Sequence, residues 1–136
     1  MRIEPPGNSA AAGRLRRAAR LTGALVLLVG VGHVFLAGLL FADPFGDIVS
    51  SGVIAAVPFD ARASEEGAAL WFTVNGVLLV MLGQLARAHQ LHAGRLPASP
   101  GWLLVGLGLC GAVAAPVSGF WVYLALGTLW ISDSRS

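Results

Sequence analysis

Few side chains in this sequence could do chemistry, because its long apolar stretches carry no charge. His33 and Asn75 each lie near the middle of such a stretch, and Tyr123 lies near the middle of another. Imidazole titrates near neutral pH, and an ionisable group inside a membrane span is a functional candidate by default. With Trp71, these residues form the candidate ligand-binding set. The alternative is structural, since hydrogen bonds between membrane helices each contribute roughly 0.6–2 kcal/mol to holding a bundle together.

Three carboxylates form the candidate catalytic set together with His33. Glu65 and Glu66 precede the second apolar stretch, and Asp60 lies shortly before them. A carboxylate that reached the imidazole from the outer mouth of a bundle would orient it for acid–base catalysis. In the simpler interpretation, both glutamates stabilise a helix N-terminus through the helix dipole, with Ser64 as the N-cap.

Residue counts and charge argue against several other kinds of site. The single Cys110 rules out an intrachain disulfide and a CxxC redox pair. His89 and His92 have the spacing of metal ligands, but no adequate third ligand stands nearby, so we expect no metal and no other cofactor. The net charge of +2 is too small to indicate nucleic acid as a partner.

The elements that must position these residues are membrane helices. Of the 136 residues, 56% are hydrophobic and 12% are charged, whereas about 25% are charged in ordinary soluble domains. The mean hydropathy is +0.75, and an uncharged helix of about 20 residues crosses a hydrocarbon core of ~30 Å. The sequence therefore predicts an all-α integral membrane bundle. Its four spans are predicted at about residues 19–41, 67–87, 101–115 and 117–132, within one domain at 18–132.

Two of these spans have alternatives. Arginines precede the first span, as in a signal peptide, but the apolar run exceeds the ~7–15 residues typical of one, so we expect the segment to be retained. As a single helix, residues 101–131 would reach roughly 45 Å. Pro116 removes a backbone donor and Gly119 permits a turn, so this stretch predicts a helical hairpin. Each half is short for a span and requires a thin bilayer or little tilt.

Arginine placement predicts the orientation in the membrane. Eight of the nine basic residues lie in the N-terminal tail, in the loop after the second span or at the C-terminus, whereas only Arg62 lies in the first loop. Because positive residues remain inside, residues 1–17 are predicted to be a disordered cytoplasmic tail, and 133–136 a short cytoplasmic one. The acidic first loop is then external. Its apolar residues 48–59 are too few to span, and predict a segment in the membrane interface or packed over the helix ends.

Short motifs follow one another along residues 20–131 in a fixed order: Gly30-Val31-Gly32-His33, Leu70-Trp71-Phe72, Asn75-Gly76, Leu82-Gly83, Leu96-Pro97 and Pro116-Val117-Ser118-Gly119-Phe120-Trp121. In their order and spacing the chain resembles an actinobacterial family of small membrane proteins, the domain of unknown function 6463. The resemblance implies four helices and a membrane location. It implies no activity.

The leading functional hypothesis is a non-catalytic multi-pass protein of the bacterial cytoplasmic membrane. It would bind a lipid or another lipophilic small molecule, or act as a partner subunit, and would associate with copies of itself through glycine-lined helix faces. The alternative is a membrane enzyme that acts on a lipophilic substrate through His33 and an outer-mouth carboxylate. A second alternative is an oligomeric transporter or channel.

Overall fold

The computed structural model describes residues 21–53 and 64–135, and within these ranges the chain forms helices and no strand. The helices are α1 (Thr22–Leu40), α2 (Ala42–Ser50), α3 (Glu65–Ala93), α4 (Ala98–Ala114) and α5 (Phe120–Ser134). The predicted all-α class is confirmed. The predicted N-terminal tail, Asp60, Arg62 and most of the predicted interfacial segment lie outside the described residues.

Two helices are long and apolar enough to cross a membrane. They are α1, with 19 residues, and α3, with 29. Only 22% of the most apolar window of each is buried inside the chain, whereas the core helix of a soluble protein is mostly buried. The apolar helix α4 has 17 residues and α5 has 15, which correspond to ~25 Å and ~22 Å.

Within the described part of the first loop, a helix begins before the segment predicted there. The predicted apolar segment is 48–59, but α2 begins at Ala42, directly after α1, and shares only residues 48–50 with it. Pro44 lies in the first turn of α2, where its missing N–H breaks no helical hydrogen bond. Gly52 ends the helix in the left-handed region, with φ of +92°.

Both ends of α3 are set by identifiable residues. Ser64 Oγ accepts a hydrogen bond from the Gly67 N–H at 3.0 Å, which is the N-cap that the sequence predicts. At the other end, Gly94 has φ of +78° and its N–H donates to the Gln90 carbonyl at 3.0 Å. The helix therefore continues past the predicted end of the span at residue 87, and His89 lies on a helix rather than in a loop.

A short turn separates α4 from α5. α4 ends at Ala114 because Pro116 disfavours helical backbone in the residue before it, Ala115. Within the turn, Ser118 Oγ donates to the Ala115 carbonyl at 2.5 Å, and Trp121 Nε1 donates to the Pro116 carbonyl at 2.9 Å. These bonds satisfy two carbonyls of the turn that lie beyond the helical hydrogen-bond pattern of α4.

The chain divides into two compact units. The central unit is Val26–Gly83, and the terminal unit is Met1–Leu25 together with Gln84–Ser136. In the central unit, α1 packs closely on α3: a Cβ added at Gly30 would lie 2.5 Å from the backbone nitrogen of Val80. In the terminal unit, α4 packs on α5 in the same manner, because a Cβ at Gly108 would lie 2.8 Å from the Leu124 nitrogen. Glycine at such positions lets helix backbones approach closely.

Candidate functional site

The candidate site lies in the central unit, where His33 of α1 meets α3. The imidazole of His33 stacks on the ring of Phe72, with centroids 3.8 Å apart and planes inclined by 12°. Asn75 Nδ2 lies 3.3 Å from His33 Nε2. All three side chains are half-buried, so the cluster joins two helices while part of it stays accessible.

The local sequence explains how α1 comes so close to α3 at this point. Phe72 and Asn75 are three residues apart and therefore share one face of α3. Gly76 follows directly and is buried. A Cβ at Gly76 would lie 2.8 Å from Val34 Cγ2 and 3.3 Å from His33 Cβ. The missing side chain at residue 76 is what brings the imidazole within reach of the ring and the amide.

The amide nitrogen beside Nε2 implies one protonation pattern for the imidazole. An amide nitrogen can only donate, so His33 Nε2 accepts from Asn75 Nδ2. In the neutral ring the proton then resides on Nδ1, which makes Nδ1–H a hydrogen-bond donor. The site therefore offers a donor and an aromatic surface, both uncharged.

A second aromatic ring extends this surface. The ring of Phe41 lies 5.6 Å from that of Phe72, and the two planes are tilted by 54°. Phe41 follows the last residue of α1 directly. The rings of His33, Phe72 and Phe41 thus form a continuous aromatic wall between the middle and the end of α1.

Two of the three candidate catalytic carboxylates lie elsewhere on α3, and the third, Asp60, lies outside the described residues. Glu65 and Glu66 occupy the first turn of the helix, and Glu65 is exposed. Phe72, which marks the depth of the imidazole, stands roughly 10 Å further along the helix axis than Glu65. The structure thus pairs His33 with an amide and an aromatic ring, and places the two glutamates about two turns away.

Two members of the predicted ligand-binding set have other surroundings. Trp71 is 71% exposed, and the ring that stacks on His33 is that of its neighbour Phe72, to which the sequence assigns no role. Its position three residues before Asn75 is the signal that could have identified Phe72. Tyr123 belongs to the terminal unit, where it is buried and its ring lies 5.9 Å from that of Phe120.

The terminal unit contains a polar pair that the sequence did not predict. Gln90 Nε2 donates to Asp133 Oδ2 at 2.8 Å, and Asp133 is only 2% exposed. Nearby in sequence, Trp130 is buried and its Nε1 donates to the Pro97 carbonyl at 2.8 Å. Asp133 belongs to a predicted cytoplasmic tail, whereas here it lies in the last turn of α5. The signal was available, because Leu126, Trp130 and Asp133 repeat at helical spacing.

The described residues contain no group of three or more histidines, cysteines and carboxylates that could hold a metal ion. His89 and His92 are both exposed on α3. His92 Nδ1 donates to the Ala88 carbonyl of its own helix at 2.7 Å.

Comparison with known proteins gives one match, to a family model. No curated protein and no solved structure matches the chain. The sequence model of a family of unknown function, DUF6463, matches residues 17–136. The match covers every helix in the described part of the chain, and it confirms the resemblance drawn from the short motifs. The chain belongs to the family of unknown function DUF6463.

Proposed function

We propose that this chain is a four-span protein of the bacterial cytoplasmic membrane that binds a lipid or another lipophilic small molecule beside His33, without catalysis. The observation that carries the proposal is the half-buried imidazole, stacked on Phe72 and hydrogen-bonded to Asn75, in helices that carry no other ionisable side chain at that depth. Both termini are placed in the cytoplasm and the acidic first loop outside, as the arginine distribution favours.

The apolar surface supports the membrane location. Leu28 and Phe35 on α1 are each 66% exposed, and Leu103 and Val113 on α4 are 73% and 76% exposed. Exposure of apolar side chains to water costs about 25 cal/mol per Å², whereas hydrocarbon accommodates them. Because α4 and α5 are shorter than the ~30 Å core, they would cross where the bilayer is thin and with little tilt.

The pair of His33 and Asn75 also has a structural role. Each polar group inside a membrane requires a partner, and these two side chains satisfy one another across the interface between α1 and α3. Binding is proposed because the pair engages only Nε2 in this bond, and because the imidazole is half-buried rather than enclosed. The same residues thus hold the helices together and present Nδ1–H to a ligand.

Binding is proposed ahead of catalysis because the hydrogen-bond partner of His33 is the Asn75 amide and not a carboxylate. An acid–base histidine is typically oriented by a carboxylate or a backbone carbonyl that accepts from its second nitrogen. Here the partner is a donor amide, and Glu65 stands roughly 10 Å away along the helix. For Glu65 to serve His33 as the partner in acid–base catalysis, it would have to cross that distance.

Self-association is a further part of the proposal. Gly106 and Cys110 are both exposed and lie four residues apart on α4, and a Cβ at Gly106 would meet no heavy atom within 4 Å. Small residues at this spacing let a second helix approach in a membrane. A second copy of the chain is the partner that we propose for this face.

Native mass spectrometry of the protein from its host's membranes tests the binding proposal. Glutamine places its terminal amide near the position of Nε2, and asparagine near that of Nδ1. The variant His33→Gln therefore retains a bond to Asn75 but has no donor at Nδ1, whereas His33→Asn retains the donor and loses the interhelical bond. We expect the wild type to carry a bound molecule and the folded His33→Gln variant to lose it. The same molecule retained by His33→Gln, or a wild type that carries none, would contradict the proposal.

A further inference from the structure

We infer that the molecule bound at His33 is an uncharged lipophile with a carbonyl oxygen on a planar ring, of the quinone or cyclic-enone class. The inference rests on the proposed function and names the class of ligand for the same site. Three features of the central unit lead to it: the hydrogen-bonding pattern of the imidazole, the aromatic wall beside it and its depth along α1.

The hydrogen-bonding pattern selects an uncharged acceptor. Since Nε2 accepts from Asn75, the imidazole presents Nδ1–H as a donor, and its ligand must supply an acceptor. No arginine or carboxylate occurs in α1, nor in residues 67–86 of α3. A phosphate or carboxylate ligand would therefore lie in hydrocarbon without a fixed countercharge, which costs several kcal/mol. A carbonyl oxygen satisfies the donor without that penalty.

The aromatic wall selects a planar ring. Phe72 lies nearly parallel to the imidazole at 3.8 Å, and Phe41 is tilted by 54° against Phe72 at 5.6 Å. Flat conjugated rings pack on such surfaces in offset or edge-to-face geometry, with a gain of about 0.5–1.5 kcal/mol per pair beyond the burial of area. An acyl chain would pack on the same rings without this gain.

The depth of the imidazole favours a ring carbonyl over the ester carbonyl of a phospholipid as the ligand. His33 stands ~10 Å along the helix axis before the end of α1 at Leu40 and ~16 Å after its start at Thr22. Ester carbonyls lie at the edge of the hydrocarbon core, whose full thickness is ~30 Å. A compact ring molecule dissolved in the core reaches the imidazole, whereas a phospholipid would have to sink by about a third of that thickness.

Nitrogen NMR of the full chain in lipid bicelles, labelled with ¹⁵N in its histidines, tests the inference. The probe is a benzoquinone with a decyl tail, and phosphatidylglycerol is the anionic comparison. Without probe, we expect His33 to show the neutral tautomer with its proton on Nδ1. The quinone should shift the Nδ1 resonance saturably, and in the His33→Gln variant its affinity should fall at least tenfold. His89 and His92 are both exposed on α3, and they serve as internal controls whose resonances should not move.

Several outcomes would overturn the inference. One is a proton on Nε2 instead of Nδ1, another is an Nδ1 resonance that the quinone leaves unchanged, and a third is a shift produced by phosphatidylglycerol. These failures are distinguishable from failure of the proposed function. A His33-dependent molecule of another class, found by mass spectrometry in host extracts, would refute the ring-carbonyl class and leave the binding function standing. No His33-dependent molecule in either experiment would refute both.

Discussion

At the scale of single residues, Asn75 contributes a hydrogen bond between α1 and α3. Replacing it by leucine leaves His33 Nε2 without its donor. We expect Asn75→Leu to lower the free energy of unfolding by about 1–2 kcal/mol, measured by thermal unfolding in a mild detergent.

Thr73 provides the matched control for that substitution. Its hydroxyl donates to the Ala69 carbonyl of its own helix at 2.8 Å, so Thr73→Val removes a polar group from α3 without breaking an interhelical bond. A change within about 0.5 kcal/mol is expected there. Equal effects of the two substitutions would show that the pair of His33 and Asn75 does not stabilise the packing of α1 on α3.

The buried carboxylate of Asp133 gives a second prediction at this scale. Gln90→Leu removes the amide that donates to Asp133 at 2.8 Å and leaves a buried acceptor without that bond. A loss of about 1.5–3 kcal/mol in unfolding free energy is expected, because hydrogen bonds to charged groups are the stronger ones. Gln84 is exposed on the same helix, and Gln84→Leu should change little. If the Gln90→Leu variant unfolds at the wild-type temperature, the bond contributes nothing to stability.

The sequence identified some of these residues and not others, for a physical reason. His33 and Asn75 stand out because they interrupt uncharged stretches, and the structure brings them together. Phe72 does not stand out by its type, since aromatic residues are common in apolar helices, and only its position three residues before Asn75 marks it. Asp133 was assigned to a tail because its charge follows an apolar run. Its partner Gln90 lies in a different helix, and such a long-range contact leaves no local signal.

At the scale of helices, the sequence predicts those helix ends that are caused by a capping residue or by a proline. Ser64 caps α3 and Pro116 lies between α4 and α5, and each effect acts within a few residues. The sequence does not predict the C-terminal end of α3, because the apolar pattern stops well before the helix does. Helicity continues to Ala93, and it is Gly94 that ends it. Hydropathy indicates where a helix is apolar, not where it ends.

The close packing of α1 on α3 gives a prediction for a whole element. A Cβ added at Gly83 would collide with backbone atoms of Leu27, which cannot move without shifting α1. We expect Gly83→Ala to lower the unfolding free energy by about 1–3 kcal/mol, as overpacking does.

Gly32 is the control for that prediction, because a Cβ there would meet nothing within 4 Å. Since alanine favours helix over glycine by about 1 kcal/mol, Gly32→Ala should be neutral or stabilising. Thermal unfolding of both variants in the same detergent checks the difference. A Gly83→Ala variant as stable as Gly32→Ala would mean that the two backbones do not approach at Gly83.

At the scale of the whole molecule, the helical class followed from composition and from the length of the uncharged stretches, and membership of the family is established over residues 17–136. The number of spans is harder to derive, because α4 and α5 are each shorter than the ~30 Å core. Whether two short helices cross or lie in the interface depends on the bilayer around them, which leaves no pattern in the chain. The proposed four spans follow from the arginine distribution, and that distribution makes a definite prediction about which loops face outward.

Cysteine accessibility in intact cells tests the central claim, that four helices cross the membrane, most directly. In a Cys110→Ala background, single cysteines replace Ser51 in the proposed external loop, Val117 in the turn between α4 and α5, and Ser99 and Ser132 at the proposed cytoplasmic ends. All four positions are exposed, and Val117 is fully so. With a membrane-impermeant maleimide, we predict labelling of the first two positions in intact cells, and of the other two only after lysis. A protected cysteine at position 117, or labelling of position 99 or 132 from outside, would contradict the four-span topology.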